Sequence, residues 1–363
     1  MRLYDTNSAR EVTTFSAGTA LDDTQVGCYW LAADTIASIA LNGDVLLFDQ
    51  RMAACHTRVI AHQRSVTAMA ARSATCEELW TADYSGRVLR WSTGACLRCV
   101  EAACASSDRV ARRADEGCLE RRPTTHTNQV VGAATCNDEL ITCGLDDRVV
   151  WSGAADARSA ALPCAPKSLS VSTGGVAVAA TVSGVTLAQD GKVVASVALP
   201  GAAVAAISRD GKEVAVGYAD GAVRVFSRSP AGELQLHALL ARHRDCVTAL
   251  QFDAAGAMLA SCDANREVVV WERCDAVPFW APKESLGRCV YHTARVTCLA
   301  WDSSGKRLAT GGLDCNILIW DVAQPASKRE TIPAAHRDGV TALAWTGSKL
   351  VSAGADACVR VWA

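Results

Sequence analysis

The chain has 363 residues and a formal charge of −2, so nucleic-acid binding through bulk electrostatics is not expected. Half of its residues are apolar and a fifth charged, which suits a packed globular protein and excludes a disordered one. No run nears the roughly 18 apolar residues of a membrane span, and the opening MRLYDTNSAR has charges where a secretory signal needs an apolar core, so a cytoplasmic location is expected.

In chain order, residues 1–18 read as the tail of a strand group whose beginning is missing: MRLYD as a third strand, REVTTF as a fourth. GCYWLAADTIASIALNGDVLLFD then gives three strands with a turn at Asn42-Gly43. CHTRVIAH reads as one further strand leading into VTAMAA, ELWTAD and GRVLRW, between His62 and Trp91. Residues 95–125 are the one long irregular connection; its start could supply a fourth strand, and 102–123 read as a charged insertion. Strand triplets resume at HTNQVVGAATCNDELITCGLDDRVVW, continue through KSLSVSTGGVAVAATVSGVTLAQDG and AAVAAISRDGKEVAVGYADGAVRVFS, and recur at 243–271. The cleanest copy is HTARVTCLAWDSSGKRLATGGLDCNILIWD, residues 292–321, and HRDGVTALAWTGSKLVSAGADACVRVWA closes the chain.

Each good copy carries a His before the first strand, Ser or Thr in the second, Asp in the next turn and Trp in the third strand. These are His292, Thr310, Asp314 and Trp320 in one copy and His336, Ser352, Asp356 and Trp362 in the last. A hydrolytic triad would occur once, beside a cleft; a set repeated at every triplet does a repeated job. The expected job is a hydrogen-bond relay from Asp to His to Ser/Thr to the Trp N–H, bracing the turn. Other copies depart from it. Ser85 stands at the turn Asp position, with Asp83 two places early and expected to face elsewhere. Val150 reads as the residue at the Trp position, with Trp151 one place late and therefore exposed or on a bulge. Asn265 replaces a turn Asp, and residues 167–191 have lost the His, Asp and Trp together, so packing alone should hold them.

Such triplets define an all-β, WD-repeat β-propeller. No catalytic residue, cofactor or metal site is expected, because no phosphate loop, H-E-x-x-H or G-x-S-x-G occurs. Of the 17 cysteines, Cys96, Cys99, Cys104 and Cys118 include one tight pair where a structural zinc site usually shows two. Most others, such as Cys143, Cys262, Cys298 and Cys358, stand where a small buried apolar residue belongs. Candidate partner-binding residues follow each repeat His: Arg64, Asn128, Arg244, Asp245, Arg337 and Asp338; the alternative is that these are solvated turns. Trp280, beside Phe279 and between prolines, reads either as an exposed partner anchor or as packing across a blade edge.

Taken together, HTNQV, DELITCGLDD, PKSLSVSTGGVAVA, GKEVAVGYADGAVRVFS, LASCDANREVVVW, RVTCLAWDSSGKRLATGGLD and AHRDGVTALAW resemble, in order, the second propeller of the actin-interacting protein 1 family. GCYWLAADTIASIALNGDVLLFD resembles the last blade of that family's first propeller. The resemblance implies a non-enzymatic, cytoskeleton-associated regulator that binds actin and promotes filament disassembly with cofilin. It implies neither a nucleic-acid nor a membrane partner. The rest of the first propeller is missing, so the alternative function is a WD-repeat protein-interaction scaffold without actin activity. The resemblance also implies a remnant of the preceding propeller at 1–54 and seven blades over 55–363, with Thr57 to Ile60 closing the last blade. The alternative is a single eight-bladed ring closed by Glu11 to Phe15.

Overall fold

The computed structural model describes residues 64–71, 78–92, 105–107, 120–121 and 126–362, the last with gaps at 138, 153–156, 276–278, 284–285 and 287–288. Ahead of these it describes 2–4, 8, 10–15, 25–32, 35–40, 45–49 and 55–60. His62, the Asn42-Gly43 turn, nearly all of the charged insertion and Cys96, Cys99, Cys104 and Cys118 lie outside the described residues.

The chain divides into two compact units, 1–63 with 89–122 and 64–88 with 123–363. The larger unit is a ring of seven antiparallel blades. Blade one begins with Val66–Ala71 and Glu78–Asp83, and blades two to seven begin at Val130, Pro166, Ala202, Val247, Val296 and Val340. Blades two to six have four strands each, and blade seven has three among the described residues. Valine and alanine dominate the inner strands because β-branched and small side chains fit a surface buried on both faces. Between blades five and six, for example, Ala260, Cys262, Val268, Val270, Val296, Leu299, Leu308 and Leu318 form one apolar layer.

A threonine hydroxyl joins neighbouring blades at several inner strands. Thr67 Oγ1 donates to Val130 O at 2.6 Å, Thr297 Oγ1 donates to Val340 O, and Thr341 Oγ1 donates to Val66 O at 2.5 Å. The last contact, with Ser65 Oγ donating to Ala355 O at 3.0 Å, closes blade seven onto blade one. Where one blade's second strand meets the next blade, side-chain volume is the constraint. A Cβ on Gly311 would lie 2.6 Å from Val340 Cγ1.

In the smaller unit, Gln25–Ala32, Thr35–Ala40, Val45–Asp49, Cys55–Ile60 and Ala105–Ser107 form a five-stranded sheet. Phe15, Ile36, Leu46 and Phe48 are buried together, with the two phenylalanine rings 5.1 Å apart.

Two expectations are corrected here. Cys55–Ile60 pairs with Val45–Asp49 and Ala105–Ser107, so it serves the N-terminal sheet and not the last blade. Glu11–Thr14 pairs with Arg2–Tyr4, and the ring closes on seven blades without it. In both cases a strand close in the chain, Val45–Asp49 or Arg2–Tyr4, supplied a nearer partner than the distant edge of the ring. The fourth strand expected from the start of the 95–125 connection lies outside the described residues; near the other end, Glu120–Arg121 pairs with Val88–Ser92 through Glu120↔Arg90 and Arg121↔Leu89.

Candidate functional site

The relays form as expected in blades six and seven. Nδ1 of His292 lies 2.9 Å from Asp314 Oδ2, Nε2 lies 2.9 Å from Thr310 Oγ1, and Trp320 Nε1 donates to that hydroxyl at 2.9 Å. His336, Asp356, Ser352 and Trp362 repeat this at 2.9, 2.8 and 2.8 Å. Burial pushes both imidazoles below their ordinary pKa against the pull of the carboxylates, so each contact is a hydrogen bond from a neutral ring. Burial also presses Asp314 and Asp356 upward, but backbone N–H groups and the paired His outweigh it and hold both carboxyls below their ordinary value. The groups are internal and fully engaged, which fits a brace and not a nucleophile.

Blade two keeps the His126–Asp146 and His126–Thr142 contacts at 2.9 Å but lacks the indole donor. Its register corrects the sequence reading. Ser152 pairs with Leu140 as Trp320 pairs with Leu308, so Ser152 holds the Trp position and Trp151 stands one place early, without a bulge. Period two then turns Trp151 to the opposite face of the sheet, where it is buried beside Ala177 and Ala179 of blade three and its indole N–H has no partner. Asp83 is likewise not turned away: it is buried and accepts from the Ser85 hydroxyl at 2.6 Å and from the N–H groups of Ser85 and Arg87.

The relay also orders what lies outside it. The Asp oxygens accept the backbone N–H after each His, from Thr127 at 3.1 Å, Thr293 at 2.9 Å and Arg337 at 3.0 Å. Backbone clamps tie the adjoining turns to the same loops: Tyr84 N to Ser65 O, Leu145 N to Gln129 O, Leu313 N to Arg295 O and Ala355 N to Gly339 O. This face therefore has fixed loops. Arg64, Asn128, Arg244, Asp245, Arg337 and Asp338 are all exposed on it.

Sequence reading missed three apolar members of that face: Tyr84, Leu145 and Leu313, exposed by 53%, 39% and 51%. Their signal was present, since each is the third residue after the relay Ser/Thr and precedes the turn Asp or Ser. With Arg337, Asp338, Arg64 and Asn128 they run through blades six, seven, one and two, which are consecutive around the ring. Leu313 packs beside Gly339, where an added Cβ would lie 3.2 Å from its Cδ2.

Trp280 is not an anchor. It is 2% exposed on the outer strand Trp280–Pro282 of blade five, 5.9 Å from the Phe252 ring and beneath the Arg273 guanidinium. Phe279 stacks on His237 of blade four at 4.4 Å, so this segment packs across a blade edge. Cys143, Cys262 and Cys298 are buried free thiols, and Cys358 is half-buried. Desolvation pushes Cys143 and Cys298 up to about 12 and Cys262 well above its ordinary value, which keeps these thiols protonated and inert.

Fold and relays together define a WD-repeat β-propeller. The family model "WD domain, G-beta repeat" matches residues 234–272, 283–321 and 327–363. A solved structure titled as the WD40 β-propeller domain of Doa1 superposes with a TM-score of 0.64 at 14% identity, covering 85% of this chain and 95% of that one. Among curated proteins, the chain is 31% identical to a 66 kDa stress protein of Physarum polycephalum over 97% of its own length and 55% of the relative's. It is 30% identical to actin-interacting protein 1-2 of Arabidopsis thaliana, over 94% of this chain and 53% of the relative. It is 29% identical to actin-interacting protein 1 of Drosophila melanogaster, over 99% and 56%. The chain belongs to the actin-interacting protein 1 family and spans about half the length of the curated relatives it matches.

Proposed function

We propose that the chain is a non-enzymatic actin-binding regulator that promotes filament disassembly together with cofilin. The observation that carries this reading is similarity over nearly the whole chain to relatives named actin-interacting protein 1. On this reading the ordered loop face meets the partner, with Leu313, Tyr84 and Leu145 as apolar contacts and Arg64 and Arg337 as rim charges. Arg244, Asp245, Asn128 and Asp338 complete the rim.

Co-sedimentation with actin filaments, with and without cofilin, tests the proposal. The chain should pellet with filaments, and filament mass should fall faster when cofilin is present. Absence of both effects would leave the second reading, a WD-repeat interaction scaffold without actin activity. That reading rests on the match to the WD-repeat family model, at residues 234–272, 283–321 and 327–363. Leu313→Asp then locates the face: it should abolish pelleting while leaving the far-ultraviolet circular dichroism unchanged.

A further inference from the structure

Blade five builds its relay differently from the others, and the difference leaves two buried groups unpaired. In blades two, six and seven a glycine lies under the imidazole, and a Cβ on Gly144, Gly312 or Gly354 would run into the ring of His126, His292 or His336. Blade five has Asp263 in that place, where it stands in for the missing turn Asp. Its Oδ2 lies 3.4 Å from Nδ1 of His243, against 2.9 Å in the other three blades. Neither atom makes a hydrogen bond, although both side chains are fully buried. Glu267 is 4% exposed, and ligand atoms from His243, Asp263 and Glu267 all lie within 4.8 Å of one another. An imidazole nitrogen and a carboxylate oxygen that face each other unbonded, beside a second buried carboxylate, are costly unless a ligand satisfies them.

We propose that His243, Asp263 and Glu267 bind a divalent transition-metal ion of the zinc class. Zinc takes imidazole nitrogen and carboxylate oxygen at about 2.0–2.2 Å, and two tetrahedral ligands at that range lie about 3.4 Å apart. That is the His243–Asp263 separation. Glu267, which has a partner of its own, completes the set by a side-chain rotation that exchanges that partner for the ion, and water takes the fourth position.

The outer partners are compatible with the required tautomer. His243 Nε2 lies 2.6 Å from Ser261 Oγ, which also accepts from Trp271 Nε1 at 2.8 Å and lies 3.4 Å from Val269 O. If Ser261 gives its own proton to Val269 O, its oxygen accepts from both rings. Nε2 then keeps its hydrogen and Nδ1 presents a lone pair. Asp263 Oδ1 is fixed by the Glu267 backbone N–H at 2.7 Å, which aims Oδ2 at the site. Because the site is buried, the ion would enter as the blade folds, and its binding energy would add to stability.

The test refolds the full chain, Glu267→Gln and His243→Gln in buffered zinc, dialyses each and measures retained metal. All three carry the same cysteines, so thiol-bound zinc cancels in the comparison. Wild type should retain one more equivalent than either variant, and zinc should raise its thermal midpoint but not theirs. Equal retention by folded variants would overturn the proposal. So would a wild-type chain that retains no zinc, or whose zinc shows only sulfur neighbours by X-ray absorption, whether or not the variants fold.

Discussion

Blades three and six sit in the same ring with the same strand pattern, yet they are held by different bonds. Blade six locks its own turn to its own loop through His292, Thr310, Asp314 and Trp320, and fixes the Thr293 backbone as it does so. Blade three has none of these residues and instead ties its inner strand to blade four. Lys167 Nζ donates to Ala202 O at 2.9 Å, while Ser168 and Ser170 hydroxyls accept the N–H groups of Ala205 and Ile207 at 3.0 and 3.1 Å. Both blades bury similar aliphatic layers. Strand cohesion therefore does not need the relay. The backbone clamp on the loop face is common to both, as Leu313 N to Arg295 O and Val182 N to Ala165 O; what blade six has beyond blade three is the Asp314 carboxylate holding the Thr293 N–H on that face, which is where partner contacts are proposed.

The sharpest way to break the comparison is to attack what the blades share and then what they do not. Leu187→Ala in blade three removes a fully buried side chain and should cost about 2–5 kcal/mol in urea unfolding. Asp314→Ala in blade six strands His292 Nδ1 and the Thr293 N–H, and should cost about 3 kcal/mol. Hydrogen exchange separates their mechanisms: the Asp314 variant should lose protection first at Thr293 and Leu313, whereas the Leu187 variant should loosen strands. Ser168→Ala and Ser170→Ala should cost about 1 kcal/mol each, since each leaves one blade-four N–H unpaired. If Asp314→Ala cost no more than Ser170→Ala, the relay would not be a brace.

The ring itself was legible in the sequence because alternation and turn chemistry repeat at each blade, and the quartets of blades six and seven were legible as single residues. What escaped reading depended on register or on neighbours. Trp151 was placed one residue late because a Trp near the right spacing looks like the repeat Trp; only the Leu140↔Ser152 pairing fixes the phase. Asp83 looked like a residue out of place and Asp263 drew no notice, yet both are buried at a position where intact blades have glycine. Blade three was expected to rely on packing alone because its serines carry no motif; their partners lie on another blade, beyond any local pattern. Trp280 looked available because prolines flank it, but its strand direction turns the ring inward.

The smallest expected effect, and the one most specific to the relay, is pH dependence. Burial holds His292 and His336 below their ordinary 6.5, so the folded chain takes up these protons less readily than the unfolded one. Their contribution is complete above pH 6.5 and is lost as pH falls from there through the lowered folded values. Asp314 and Asp356 sit below their ordinary 3.8, so their share survives this first step and is lost only in stronger acid. Urea midpoints should therefore fall between pH 7.5 and 5.5 in the wild type. The paired change His292→Gln and His336→Gln should flatten that fall, because glutamine offers an amide without a titrating ring. Ser168→Ala and Ser170→Ala should lower the midpoint while leaving the pH slope as it was, since blade three has no buried imidazole to charge. A slope that persisted in the paired variant would mean that other groups govern acid sensitivity, and the two blades would then differ in bonding but not in how they respond to protons.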